Sequence, residues 1–291
     1  MHTTAHRKSP TVTRTAEAGY RSPLVSLAFV PRSSATFAVW SSAWLAGSAA
    51  PDDVLDALTP WAEAHDVVAV DEATAAATDL PAPGAPVSSL TFLLAALRRA
   101  PRGAGRLVLP VPGDIRGLPG PGTFTSAAIA AGEGVLYPEA GLGVVPSPIA
   151  DGVLRWTVHT VPAPVPPAEY VPLAEAEHEL RGQVRQSTSV LTELGVARHR
   201  PGVREEIAAA LRARPATHWP QGMPGRALRV LQQADEVEAI LAAASADEPG
   251  GALSASAATA RREALRPLDT AVRVARRAAV AEAVRSYAPT P

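Results

Sequence analysis

Residues 153–167 read Val153-Leu154-Arg155-Trp156-Thr157-Val158-His159-Thr160-Val161-Pro162-Ala163-Pro164-Val165-Pro166-Pro167. The first nine alternate. Leu154, Trp156 and Val158 point to one side and Arg155, Thr157 and His159 to the other, the period of a strand with one buried and one solvated face. The next six hold four prolines, which lack backbone donors, favour extended polyproline II and act as a semi-rigid spacer. Two kinds of chain meet at this point. Strand and helix signals alternate before it, and only helical periodicity follows it.

Upstream, Leu24–Val30 and Thr36–Leu45 are apolar, partly β-branched or aromatic runs separated by Pro31-Arg32-Ser33-Ser34, which predicts a hairpin. Pro51-Asp52-Asp53 opens a helix to about His65, with acids in the first turn where the helix dipole favours them and Leu55, Leu58 and Ala62 as its apolar stripe. A short strand over Asp66–Val70 follows, then a helix over Ser88–Ala100 with Leu90, Leu93, Leu94 and Leu97 on one face. Arg106–Pro112 is apolar on both faces, as expected of a central strand covered by helices. After it come the Gly/Pro loop Gly113–Gly122, a short helix Thr123–Gly132, and strands over Val135–Tyr137, Leu142–Val145 and Val153–Val161. The expected architecture is an α+β domain over residues 21–161, a mixed sheet with helices ending in an antiparallel meander, behind a disordered tail over residues 1–20.

Residues 162–171 form the expected linker, and a helical bundle is expected over 172–291. Pro172 suits the first position of a helix, and Leu173, Leu180, Val184, Leu191 and Leu194 follow at coiled-coil-like spacing. Val203, Ile207 and Leu211 align on a second helix, and Ala227, Leu231, Ala234, Val237, Leu241 and Ala244 on a third. Helical composition resumes from Leu253 to Tyr287, where Arg266-Pro267 marks a kink or a new start.

Composition removes several mechanisms. Without cysteine among 291 residues there is no disulfide scaffold, Cys nucleophile, thiolate zinc site or iron–sulfur cluster. The chain has 60 Ala, no Asn and one Lys (Lys8) against 26 Arg, a skew that reads as a bacterial genome of high GC content and lowers the information in any one Arg cluster. The 27 basic and 28 acidic residues balance, so no global field draws the chain to nucleic acid or an anionic membrane. No window offers the roughly 20 apolar residues that cross a bilayer, and the N-terminal stretch lacks a signal's hydrophobic region, so the expectation is a cytoplasmic protein. No cofactor or metal is expected either. Glu175-x-x-His178 has the spacing of di-iron carboxylate bundles, but His178 turns away from the Leu180 stripe and a second copy is missing. The overlapping His178-Glu179 fails the zinc motif HExxH at Gly182.

The strongest candidate site is the loop from Pro112 to Thr125, which joins an apolar strand to a helix N-terminus, where open α/β sheets usually bind ligands. Its candidate ligand residues are Asp114, Arg116, Gly117, Gly120, Gly122, Thr123 and Thr125, with Arg116 as a charged arm and Thr123 or Thr125 as helix cap. It matches neither GxGxxG nor GxxxxGK[ST]. Arg98, Arg99, Arg102 and Arg106 add cations nearby, and Arg155 with His159 offers a polar pair on the wet face of the last strand. On the final helix Arg262, Arg266, Arg273, Arg276 and Arg277 share an arc, a candidate partner surface without the aromatics that stack on bases. Trp219 is a candidate anchor. No catalytic residue is assigned. The first expectation is a non-catalytic interaction or regulatory protein that binds a protein partner or itself. The alternative is a protein or enzyme that holds a small anion in the Gly113–Thr125 loop, and nucleic-acid binding through the last helix is the least favoured.

Overall fold

The computed structural model describes residues 32–193, 203–246 and 255–288. Its first element corrects the predicted hairpin. Thr36–Leu45 lies in helix α1 (Ser33–Leu45), whose thirteen residues are all buried, and Leu24–Val30, the other expected strand, falls outside the described residues. A helix covered on every side has no polar stripe, so an apolar run with Phe37, Val39 and Trp40 gives no period by which to tell it from a strand. Helix α2 (Pro51–Leu58) starts where the acidic first turn places it, with the Asp53 carboxylate accepting the Ala50 N–H at 2.8 Å. It stops well before His65 because Pro60 falls in a 3-10 turn over Thr59–Trp61, and Val54, Ala57 and Leu58 are its buried residues.

Strand β1 (Ala64–Ala69) is followed by a short helix, α3 (Glu72–Thr78), which the sequence reading does not include. Asp71 caps it by accepting the Thr74 N–H at 2.7 Å. Helix α4 (Leu90–Arg99), strand β2 (Arg106–Val108), helix α5 (Thr123–Ala131) and strands β3 (Gly134–Tyr137), β4 (Leu142–Ala150) and β5 (Val153–Thr160) complete the α+β half. The sheet order is β1-β5-β4-β3-β2, with β1 parallel to β5 and every other pair antiparallel. The meander β3-β4-β5 is as expected. The central strand is β4, however, and the Arg106–Pro112 segment supplies an edge strand of three residues. Its apolar character on both faces has another cause. Leu107 joins the main core on one side of the sheet, and Val108 joins a smaller core with Phe124 and Leu136 on the other.

The large core faces α1. Phe37 lies 4.9 Å, ring to ring, from Trp156, whose indole N–H donates to His65 Nδ1 at 3.0 Å. On the opposite face α5 approaches so closely that a Cβ on Gly143 would run into the Phe124 ring. That cover also buries His159, correcting its placement on a wet face, while Leu154, Trp156 and Val158 are buried as the alternation predicts.

Beyond the proline-rich segment the described chain is helical, as expected: α6 (Leu173–Glu193), α7 (Val203–Arg212), α8 (Gly225–Ala246) and α9 (Ala255–Tyr287), which runs through Pro267. Leu173 and Leu180 are buried and Val184 half-buried; the Leu191 and Ala244 side chains and all of Leu194 lie outside what is described. One continuous hydrophobic cluster links the sheet through α1 to α6, α8 and α9. Polar ties reinforce it. The Trp40 indole N–H donates to the His218 carbonyl at 2.9 Å, and Tyr287 Oη donates to the Pro220 carbonyl at 3.1 Å.

Two phenylalanine truncations measure how much α1 contributes. Phe37→Ala opens a cavity at a residue with 0% exposure and should cost about 3–5 kcal/mol in urea unfolding. Phe92→Ala, at 56% exposure, should stay within about 0.5 kcal/mol of wild type. Equal losses would contradict the burial of α1.

Candidate functional site

The loop after β2 doubles back through a tight turn in which the Val111 N–H donates to the Asp114 carbonyl at 3.0 Å and the Asp114 N–H to the Val111 carbonyl at 2.9 Å. Gly113 takes φ +87°, a left-handed conformation that glycine adopts without penalty. The turn carries Asp114 and Arg116 to α9. Asp114 accepts from Arg116 Nε and Nη2, each at 2.8 Å, and from Arg273 Nη2 at 3.2 Å. Arg277 Nη1 donates to the Arg116 carbonyl at 3.2 Å. Those bonds, the Arg116 fork first among them, hold the Asp114 carboxyl far below the ordinary carboxylate range. Arg116 is therefore no free arm awaiting an anion, since its charge is matched within the loop.

Between this loop, α6 and α9 lies an open groove of about 1030 Å³. Val111, Leu118, Ala271 and Val274 give it apolar surface, and Glu179, Arg266 and Asp269 add charge. Ile115, on the same loop, is 57% exposed. Arg273 also lines the groove and is only 4% exposed. Its Nη2 serves Asp114 and Thr270 Oγ1, its Nε lies 3.7 Å from Asp269, and its buried Nη1 has no hydrogen-bond partner among the described residues.

The remaining predicted residues do not join this groove, with Gly117 the exception. Helix α5 has Gly122 at its N-cap and no side-chain cap, so neither Thr123 nor Thr125 plays that part. Thr125 Oγ1 donates to the Gly120 carbonyl, and Thr123 Oγ1 shares a hydrogen bond with His159 Nδ1 at 3.1 Å. Burial pushes His159 down to about 4, so its imidazole is neutral at neutral pH, with Nε2 buried and unpartnered among the described residues. Arg155 pairs with Asp66 at 3.1 Å and lines a separate cavity of about 350 Å³ with Val68, Pro83 and Val87. Four positions along one strand separate Arg155 from His159, roughly 13 Å, which is why a shared face does not make a shared site. Trp219 is half-buried against the main core. Of the basic arc on α9, Arg266 is exposed, Arg273 and Arg276 are buried, Arg277 is half-buried against the loop, and the Arg262 side chain lies outside what is described.

Sequence reasoning missed a second cluster at the start of α1. Arg276, 1% exposed, donates to Asp235 and at 3.1 Å to Glu238. Arg32 Nε donates to Glu238 at 3.2 Å and Arg32 Nη1 to the Gly132 carbonyl at 2.9 Å, while Arg214 Nη2 reaches Asp235 at 2.7 Å. Glu133, fully buried, accepts the Ser34 N–H at 3.0 Å, and burial pushes its carboxyl up to about 7 against the pull of Arg32. Asp235 and Glu238, three positions apart on α8, both turn to the single guanidinium of Arg276 while Arg273 goes to Asp114, so matching charge spacing on the two helices would not have found the cluster. Among the described residues no group of three or more His, Asp or Glu is placed to hold a metal ion, and no helix is long and apolar enough to cross a membrane.

Comparison with known proteins places both halves. Residues 34–170 match the model of the N-terminal domain of Rv1486c-like proteins, and residues 174–277 match that of the C-terminal domain. The chain is 38% identical to the uncharacterized protein Rv1486c of Mycobacterium tuberculosis over 288 residues, covering 88% of this chain and 98% of the relative. It is 33% identical to the uncharacterized protein ML1804 of Mycobacterium leprae, covering 85% and 95%, and 32% identical to the uncharacterized protein MAV321 of Mycobacterium avium, covering 87% and 97%. No solved structure matches.

Glu133 and His159 titrate with opposite effect. The folded state holds a proton on Glu133 that the unfolded chain releases near 4.5, so rising pH costs stability from about 4.5 to about 7, on the order of 3 kcal/mol. The folded state refuses a proton on His159 that the unfolded chain takes up near 6.5, so falling pH costs stability from about 6.5 to about 4. The two slopes offset one another in wild type. Thermal melts should show Glu133→Gln gaining stability as pH rises through this window and His159→Gln losing it; parallel profiles for all three proteins would refute both assignments.

Proposed function

The chain belongs to the family of Rv1486c-like proteins, and we propose that it is an interaction or regulatory protein whose groove between the 111–118 loop, α6 and α9 receives an extended segment of a partner protein. The carrying observation is the groove's construction. Its walls come from both halves of the chain, with apolar floor residues such as Leu118 and Val274 and charged side chains of both signs. Ile115, large and exposed on the loop, suits the anchor role that apolar side chains play at the centre of interfaces. Arg116 is neutralised by Asp114, so the loop does not concentrate the positive charge that a nucleotide's phosphates require. Nucleic acid is served no better. Arg273 is buried and Arg277 donates to the loop carbonyl, so among the described residues beside the loop Arg266 is the α9 cation left for phosphate contacts.

Panning the full-length protein against a random dodecapeptide library tests this reading. Enriched peptides should bind in the micromolar range and lose about tenfold or more on Ile115→Asp, which places an unpaired charge on the proposed anchor. A library that yields no enriched peptide, alongside a thermal shift with nucleotides or phosphorylated metabolites that disappears in Arg116→Ala, would overturn the reading in favour of a small-anion site.

A further inference from the structure

The guanidinium of Arg273 is incompletely used. Of its five N–H groups, those on Nη2 serve Asp114 and Thr270, and the one on Nε faces Asp269 at 3.7 Å, beyond hydrogen-bonding range. Nη1 is buried with no partner among the described residues, in a side chain that lines the groove. Leaving a charged donor both dry and unpaired is costly, and such groups in folded proteins call for an explanation. The acceptor already present, Asp114, is fully engaged by two arginines, and no other side-chain oxygen of the groove reaches Nη1.

We infer that the segment received by the groove presents a carboxylate to Arg273 Nη1. This rests on reading the groove as a peptide site and names the chemistry it selects. Asp269, 52% exposed and 3.7 Å from Nε, lies along the other edge of the guanidinium and leaves Nη1 without an acceptor. Charge selects the class. Arg116, Arg266 and Arg273 line the groove against Asp114, Glu179 and Asp269, so the site is neutral before binding and a single negative charge fits better than a phosphate dianion. Arg266 is exposed, has no ionic partner among the described residues, and stands seven positions before Arg273. That offset is close to two helical turns, which places both cations on one face of α9 about 10 Å apart. It steers an acidic segment toward the buried guanidinium.

The experiment uses one peptide selected from the library on the full-length protein, made with its acidic residue intact, with the corresponding amide, and with phosphoserine at that position. The acid form should bind wild type about tenfold more tightly than the amide. Asp269→Asn, a change at an exposed position, should tighten the acid form about threefold or more and leave the amide form unchanged, because only the carboxylate is repelled by the Asp269 charge. Arg266→Gln should weaken the acid form and reduce its salt dependence. Equal binding of acid and amide, no effect of Asp269→Asn, or tighter binding of phosphoserine would each overturn the carboxylate assignment while the groove stands as a peptide site. Failure of every peptide to bind removes the groove reading itself, and this inference with it.

Discussion

A helix that gives no residue to water must be covered on every side, and α1 meets that demand by lying between two layers that neither half of the chain provides alone. The sheet covers one flank through Trp156 and Tyr137, and the bundle covers another through α9. Its first turn cannot be left bare. The N–H groups there have no partner within the helix, and the Glu133 carboxylate accepts that of Ser34. Burial raises the Glu133 carboxyl to about 7, so it is only partly ionised at neutral pH, and Arg32 adds a second tie at this end by joining Glu238 of α8 to the Gly132 carbonyl at the end of α5.

That arrangement fixes α9 and so builds the groove. Arg276 anchors α9 to Asp235 and Glu238 of α8, while Arg273, about a turn before it, and Arg277, the next residue, reach to the loop. One helix therefore sorts its cations between two destinations. Pairs buried this deeply need not add to net stability, because the cost of removing charge from water offsets the attraction, but breaking one side of such a pair is costly. Their clearer consequence is geometric. With α9 held to α8 through Arg276, Arg273 on the adjoining part of the helix surface is placed to meet Asp114 of the loop.

Legibility in the sequence followed exposure. Elements with a wet side declared themselves: α4 through its leucine stripe, α2 through its acidic first turn, β5 through an alternation in which Arg155 and Thr157 stay half-exposed although α5 buries His159, and the helical character of residues beyond the prolines. Elements enclosed on all sides did not. Helix α1 shows no period because nothing about it faces water, and β2 passes for a central strand because two cores flank an edge strand of three residues. Helix α3 escapes for a different reason, since a seven-residue stretch of Ala, Thr and Glu between a strand and a loop carries too few apolar positions to set a period. The site was legible in part. The Gly/Pro loop lies where the chain runs from β2 to α5, as read, but its two ends serve opposite faces of the fold: Asp114 meets α9, and Thr123 meets His159.

The arginines show where reasoning from composition has to be supplemented. With a single lysine in the chain, an arginine cluster on a helix reads as codon usage on a solvated face, and the near-neutral charge of that half supports the same reading. Yet Arg276 is among the most deeply buried large side chains in the fold. The distinction lies in the partner and not in the cation. An arginine can leave water only where carboxylates offer it fork-like geometry, and Asp235-x-x-Glu238 on the adjoining helix does so for Arg276. Arg273 has a fork of its own but only one carboxylate, Asp114, within hydrogen-bonding reach. Two residues of the same type, three positions apart, thus end in different states. The first is satisfied within the fold, and the second keeps a donor without a partner among the described residues.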